Sequence, residues 1–123
     1  MVNHIDWIEI RTKDIEKTAN FYEDIFGWKI VQKLDIDGRS YWIFDQGDIP
    51  REENIRRGAF CFKPNEPPRT IFYILVEDID ETLQNVKNLG GRIIEKKTQI
   101  RPQRFCAYIT DLNDNMIGLW EEK

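Results

Sequence analysis

Two segments of the chain place apolar or small residues at successive steps of four, three and four. The positions are Ile15, Ala19, Tyr22 and Phe26 in the first segment, and Ile79, Leu83, Val86 and Gly90 in the second. This spacing gives each segment one apolar stripe and predicts two amphipathic helices that pack on a sheet. Asp14 and Asp78 precede the stripes, where an aspartate can cap a helix by accepting backbone N–H bonds.

Shorter apolar or alternating segments fill the rest of the chain and predict strands. They cover residues 5–11, 28–35, 40–45, 58–62, 70–77, 92–100, 104–110 and 116–121. Asp37-Gly38 predicts a hairpin turn, the polar segment 47–57 a loop, and the proline-containing segment 64–68 a linker. The predicted element order is therefore β-α-β-β-β, given twice.

The two halves also repeat in sequence at an offset of 64 residues, as from Asp14 to Asp78. The identical pairs at this offset include Ile10/Ile74, Asp14/Asp78, Ile15/Ile79, Thr18/Thr82, Gly27/Gly91 and Ile30/Ile94. Gly27 and Gly91 follow the helical segments and predict helix ends with positive φ. A repeated supersecondary unit on matching structural signals indicates two copies of one module.

We therefore predict an α+β fold in a single domain over residues 1–123. Its two tandem βαβββ modules span about 3–63 and 69–122, with residues 64–68 between them. Each module has one sheet face covered by its helix and one bare face. We expect the bare faces of a curved mixed sheet to surround a cleft, which is where a ligand would bind.

Composition narrows the classes of function. The net charge of −4 is spread along the chain, so no basic face is expected for nucleic acid. No apolar segment approaches the length that spans a membrane. Cys61 and Cys106 lie in apolar strand segments without a CxxC spacing. They predict reduced, buried thiols and a cytoplasmic protein.

Three segments resemble the glyoxalase/bleomycin-resistance/extradiol-dioxygenase superfamily, which has the vicinal-oxygen-chelate fold. Residues 8–30, which include FYEDIFGW at 21–28, look like the opening of a glyoxalase-like protein, and residues 73–91 are similar to its second helix. Residues 111–121 read DLNDNMIGLWE and resemble its closing hairpin. The chain looks most like the subgroup described as predicted enzymes related to lactoylglutathione lyase. The resemblance implies a glyoxalase-like fold and a homodimer.

Metal-dependent members of this superfamily hold a divalent ion with four side chains from the first and last strands of each module. The resemblance places these positions at Trp7, Ile71, Gly118 and one residue within 59–62. The first three cannot ligate an ion through their side chains, and 59–62 offers no oxygen or nitrogen donor. We therefore expect no metal and no cofactor, which argues against glyoxalase I and extradiol dioxygenase chemistry.

His4 is the one histidine and could be taken for a ligand. Strand alternation places Trp7, Glu9 and Arg11 on one face, and His4 with Asp6, Ile8 and Ile10 on the other. We therefore expect His4 to be a surface residue.

Strand alternation also predicts which side chains line the bare faces. The candidate ligand-binding residues are Trp7, Glu9, Trp42, Phe60, Phe62, Ile71, Tyr73, Met116, Gly118 and Trp120. Tyr41 is an alternative to Trp42, and Cys61 is an alternative to the two phenylalanines. Such a surface suits an aromatic or hydrophobic small molecule. The same side chains could instead fill a closed core.

Glu9 is the one charged side chain expected among them, and thus the candidate catalytic residue. A carboxylate surrounded by aromatic side chains can serve as an acid or base near neutral pH. The alternative is a carboxylate paired with an arginine such as Arg11. Three functions follow: a metal-free small-molecule-binding protein similar to the drug-sequestering resistance proteins, a lyase or isomerase that uses Glu9, and a non-catalytic dimerisation module.

Overall fold

The computed structural model describes residues 2–36, 38–47 and 57–123. The chain forms two compact units. One is Trp7–Ile71; the other is Phe72–Lys123 together with the residues up to Asp6. Asp37 of the predicted turn and most of the predicted loop 47–57 lie outside the described residues.

The described elements are eight strands and two helices, and they confirm the predicted α+β class. They are β1 (His4–Thr12), α1 (Ile15–Phe26), β2 (Lys29–Ile36), β3 (Arg39–Asp45), β4 (Arg57–Phe62), β5 (Thr70–Leu75), α2 (Ile79–Asn88), β6 (Arg92–Arg101), β7 (Arg104–Thr110) and β8 (Met116–Glu122). The order is βαβββ in each half, as the repeat predicts.

In the unit Trp7–Ile71 the strand order is β2-β3-β4-β1. β1 and β4 run parallel, and the other neighbours are antiparallel. α1 packs on one face, where Ala19 meets the buried rings of Phe44 and Phe60. The Asp14 side chain accepts the Lys17 N–H at the start of α1, and Gly27 ends the helix at φ +73°. Both helix ends are therefore those that the sequence predicts.

In the other unit the strand order is β5-β8-β7-β6, with β5 and β8 parallel. Ile79 and Leu83 of α2 pack on a cluster that includes Ala107 and Leu119 of the sheet. Asp78 caps α2 by accepting the Glu81 N–H at 3.1 Å. These contacts form the core of this unit.

The predicted helix end at Gly91 is wrong by one residue. Gly90, not Gly91, has the positive φ, at +95°. A Cβ on Gly91 would lie 2.7 Å from both the Thr110 carbonyl oxygen and Val86 Cγ1. Gly91 is therefore required for a close approach of α2 to β7, and not for a left-handed turn.

A buried carboxylate joins β8 to the start of α2. Glu121 is 0% exposed and accepts the Ile79 N–H at 2.6 Å; the Nζ atoms of Lys97 and Lys123 lie 3.1 and 3.5 Å from its other oxygen. Burial acts to raise the pKa of Glu121, but the Ile79 N–H and the two lysines outweigh it, so this pKa is lowered. The hydrogen bond that the Lys97 ammonium donates to the Glu121 carboxylate raises the pKa of Lys97.

Neither of the two described helices is long and apolar enough to cross a membrane.

Candidate functional site

The sheet face opposite α1 carries a polar group of side chains. The strand register pairs Glu9 with Ala59, Arg11 with Cys61, and Cys61 with Tyr41. Because directly paired residues share a face, Glu9, Arg11, Tyr41 and Cys61 lie together on the face without a helix. We call these four residues the polar face.

A buried ion pair lies at the centre of the polar face. Glu9 is 4% exposed and Arg11 is 5% exposed, and Arg11 Nε donates to Glu9 Oε2 at 2.6 Å. Arg11 Nη1 also donates to Glu66 Oε1 at 2.8 Å, which ties β1 to the segment after β4. The sequence predicted Glu9 as the one charged side chain on this face, and that prediction is wrong because Arg11 lies beside it. Strand alternation already placed Arg11 beside it.

Burial also changes the acidity of the two other members. The pKa of the Tyr41 hydroxyl is raised, mainly by burial and to a smaller extent by the nearby charges of Cys61 and Glu9. Burial, followed by the Glu9 charge, raises the pKa of the Cys61 thiol to about 11. Both groups are thus neutral at physiological pH, and Cys61 is not a nucleophile, since the thiolate is the reactive form.

Trp42, Phe60 and Phe62 do not share the face of Glu9, so that prediction is wrong. Trp42 pairs with Phe60, and Phe60 belongs to the cluster under α1. Phe62, two residues after Phe60 in the same strand, points to the same side. Residues 59–62 are apolar on both faces of β4, so their pattern does not show which of them face α1 and which face the other side. Tyr41 and Cys61, the alternatives, take the positions beside the ion pair.

The face opposite α2 is aromatic. The register aligns Tyr73 with Gly118 and Gly118 with Tyr108, and it places Met116 and Trp120 at the same alternation. We call Tyr73, Tyr108, Met116 and Trp120 the aromatic face. The Tyr73 and Tyr108 rings meet edge to face at 5.8 Å, and their hydroxyls are hydrogen-bonded. Sequence reasoning missed Tyr108, although alternation along β7 could have identified it.

Gly118 lies under the Tyr73 ring. A Cβ at position 118 would lie 2.4 Å from Cδ2 and 2.5 Å from Cε2 of that ring. Real Cβ atoms essentially never come this close, so a glutamate at this position would require the ring to move. The space into which a carboxylate ligand would extend is therefore filled by Tyr73.

Two of the other positions implied by the superfamily, Trp7 and Ile71, also carry no side-chain atom that ligates a metal ion. Trp7 is half-buried, and Ile71 is buried in the same unit. His4 is on the surface, with Nε2 at 3.7 Å from Asp6 Oδ1 and both side chains exposed. Within residues 2–36, 38–47 and 57–123, no three His, Cys, Asp or Glu side chains are grouped to hold an ion. These residues do not fit the divalent ion of the metal-dependent members.

Comparison with known sequences identifies the family. The model of the "Glyoxalase/Bleomycin resistance protein/Dioxygenase superfamily" matches residues 4–119. A "Glyoxylase-like domain-containing protein" of Didymella fabae is 33% identical over 109 residues, which are 83% of this chain and 81% of that protein. "Putative glyoxylase CFP32" of Mycobacterium bovis is 23% identical over 116 residues, and the match covers 94% of this chain but 44% of that protein.

Solved structures share the fold at low sequence identity. Methylmalonyl-CoA epimerase from Mycobacterium tuberculosis has a TM-score of 0.71 at 16% identity, covering 99% of this chain and 89% of that chain. Hypothetical protein BH1468 from Bacillus halodurans has a TM-score of 0.70 at 17% identity, covering 98% and 95%. The match of the family model over nearly the whole chain decides the assignment: this chain belongs to the glyoxalase/bleomycin resistance protein/dioxygenase superfamily.

Proposed function

We propose that this chain is a small-molecule-binding protein that works without a metal ion, and that its ligand is aromatic or hydrophobic. The packing of Tyr73 on Gly118 supports the metal-free part of the proposal, because it leaves no room at position 118 for a carboxylate side chain that would ligate an ion. Trp7 and Ile71, at two further positions, have no donor either. In this view the chain is related to lactoylglutathione lyase by descent and lacks its ion chemistry.

The side chains of the helix-free faces suit such a ligand. Trp7 and, on the aromatic face, Tyr108, Met116 and Trp120 are all partly exposed, so they remain able to contact a small molecule. Aromatic rings give large contact areas and favour offset or edge-to-face packing with another ring. Methionine adapts its shape to irregular apolar ligands. We propose Tyr108, Met116 and Trp120 as ligand contacts in one unit, and Trp7, Glu9 and Ile71 as ligand contacts in the other.

A second candidate is an isomerase or lyase that uses Glu9 as acid or base. Its support is the buried carboxylate itself, together with structural neighbours that include methylmalonyl-CoA epimerases. Glu9 is already bonded to Arg11 at 2.6 Å, however, and a proton-transfer role would require this contact to loosen. The geometry therefore favours binding over proton transfer.

We also propose a cytoplasmic homodimer. Cys61 and Cys106 are both buried thiols outside any disulfide, as expected in a reducing compartment. If the chain binds no small molecule, a non-catalytic dimerisation module is the remaining candidate.

Native mass spectrometry and elemental analysis of tag-free protein test the proposal together. We expect a co-purified aromatic or hydrophobic compound, released on denaturation, and no stoichiometric transition metal. One Zn, Ni, Mn or Fe per chain, with chelation abolishing ligand binding, would contradict the metal-free proposal. A compound that is chemically converted on incubation, but not by Glu9→Gln protein, would favour the isomerase or lyase.

A further inference from the structure

α1 exposes large apolar side chains on a side that does not face its own sheet. Phe21 is 57% exposed and Ile25 is 61% exposed. They stand four residues apart, so they are neighbours on the helix surface. The sheet-facing stripe, with Ala19 buried and Tyr22 against Phe60, lies beside them. The helix is therefore apolar on more of its circumference than its own unit covers.

The charges that flank this stripe are placed against the helix dipole. Lys17 is in the first turn, four residues before Phe21, and Asp24 is in the last turn, three residues after it. Cations are favoured at the C-terminal end of a helix and anions at the N-terminal end. Within the described parts of the chain, neither Lys17 nor Asp24 forms an ion pair. The last turn of α1 contains no basic residue.

We propose that α1 packs antiparallel on α1 of a second copy of this chain, about a two-fold axis near Phe21. Antiparallel packing brings Lys17 of each copy to Asp24 of the other, because both residues flank Phe21 at similar distances along the helix. It also places each N-terminal helix end near the opposite C-terminal end. The stripe and its charges are thus complementary to themselves, as a two-fold interface requires.

The size of this surface determines how tightly two copies are expected to associate. Two exposed side chains with their flanking charges on a 12-residue helix form an interface at the low end of the known range, below about 1,200 Å² in total. We expect a reversible dimer with a dissociation constant on the order of 10 μM. This inference rests on the homodimer proposed above and names its surface.

Sedimentation equilibrium of the full chain tests the surface. Phe21→Glu and Ile25→Glu should each weaken self-association at least about tenfold, since truncating or charging a central apolar contact removes most of the binding energy. Leu89→Glu is the matched control, because Leu89 is 78% exposed beside the other helix. It should leave the dissociation constant unchanged.

Charge reversal tests the antiparallel geometry. Lys17→Glu and Asp24→Lys should each weaken the dimer, because each variant places two like-charge pairs in the interface. A mixture of the two variants should associate, and the double variant K17E/D24K should self-associate like wild type. Each single reversal improves the fit to the helix dipole, so the melting temperature measured below the dissociation constant should stay equal or rise. Weaker association then cannot be ascribed to unfolding.

The outcomes separate this inference from the homodimer proposal. A wild-type dimer that is insensitive to Phe21→Glu, or single charge variants whose mixture fails to associate, would overturn the α1 interface and leave the homodimer. A wild-type chain that is monomeric at several hundred micromolar would overturn both.

Discussion

The Tyr73 ring packs directly on the backbone of Gly118, its partner on the neighbouring parallel strand. A Cβ at position 118 would lie 2.4 Å from the ring. Gly118→Ala should therefore lower the free energy of unfolding by about 1–3 kcal/mol through overpacking. Urea denaturation of the purified variant measures this loss.

A double-mutant cycle attributes the cost to the ring. Tyr73→Ala removes the ring and is destabilising by itself, but Gly118→Ala should then add little further loss. An equal cost of Gly118→Ala in both backgrounds would mean that another contact requires the glycine.

The buried pair of Arg11 and Glu9 should be sensitive to loss of one partner. Arg11→Met leaves the Glu9 carboxylate buried without its guanidinium, and should cost about 3–5 kcal/mol of unfolding free energy. The double variant Glu9→Gln/Arg11→Met should recover a substantial part, because it no longer buries a charge. Thermal or urea melts of the three variants decide this. A double variant less stable than Arg11→Met alone would contradict the ion-pair account.

Glu121 should contribute to stability in a pH-dependent way. Its pKa is lowered in the folded chain, so its contribution is fully present above the unfolded value of about 4.3 and is lost as pH falls through the folded value. In the Glu121→Gln variant, the melting temperature should therefore fall less steeply than in wild type as the pH is lowered. Glu122→Gln, at the partly exposed neighbour, is the control and should retain most of that slope.

The glycines after the two helices should respond differently to substitution. Gly27 has φ +73° and open space around it, so Gly27→Asn should be tolerated while Gly27→Val loses about 1–3 kcal/mol. Gly91 is confined by Thr110 and Val86, so Gly91→Ala should already be destabilising. Calorimetric melts of the three variants test the distinction. A harmless Gly91→Ala would show that α2 and β7 are not in close contact there.

The fold could be predicted because each signal was local and repeated. An aspartate, an apolar stripe and a glycine mark each helix, and the second copy confirms the first. The helix caps at Asp14 and Asp78 follow from the same pattern. The positive φ was predicted at Gly91 instead of Gly90, because sequence alone does not tell which of two adjacent glycines adopts it.

The candidate site was harder to predict, since it depends on which residues of each strand face which side of the sheet. Residues 59–62 are apolar throughout, so alternation could not show that Phe60 faces α1 while Cys61 faces the ion pair. Arg11 was placed on the correct face, but its burial depends on packing that no local pattern encodes. The Tyr73–Gly118 contact likewise joins two strands distant in sequence, and only their register brings them together.

Tryptophan fluorescence of chelator-treated protein shows whether this chain binds an aromatic or hydrophobic ligand without a metal ion. A panel of planar aromatic compounds should quench the emission. The quench should fall sharply in Trp7→Phe and Trp120→Phe. It should survive in Trp28→Phe, the control, because Trp28 is stacked between Tyr22 and Phe44 on the side of α1.

Glu9→Gln should alter the affinity only modestly if the chain is a binder. Loss of turnover of a bound compound with an unchanged quench would instead favour catalysis. Metal-free binding is wrong if no compound of the panel quenches the emission or raises the melting temperature, or if quenching requires an added divalent metal. The first of these results would favour a filled core and a dimerisation module.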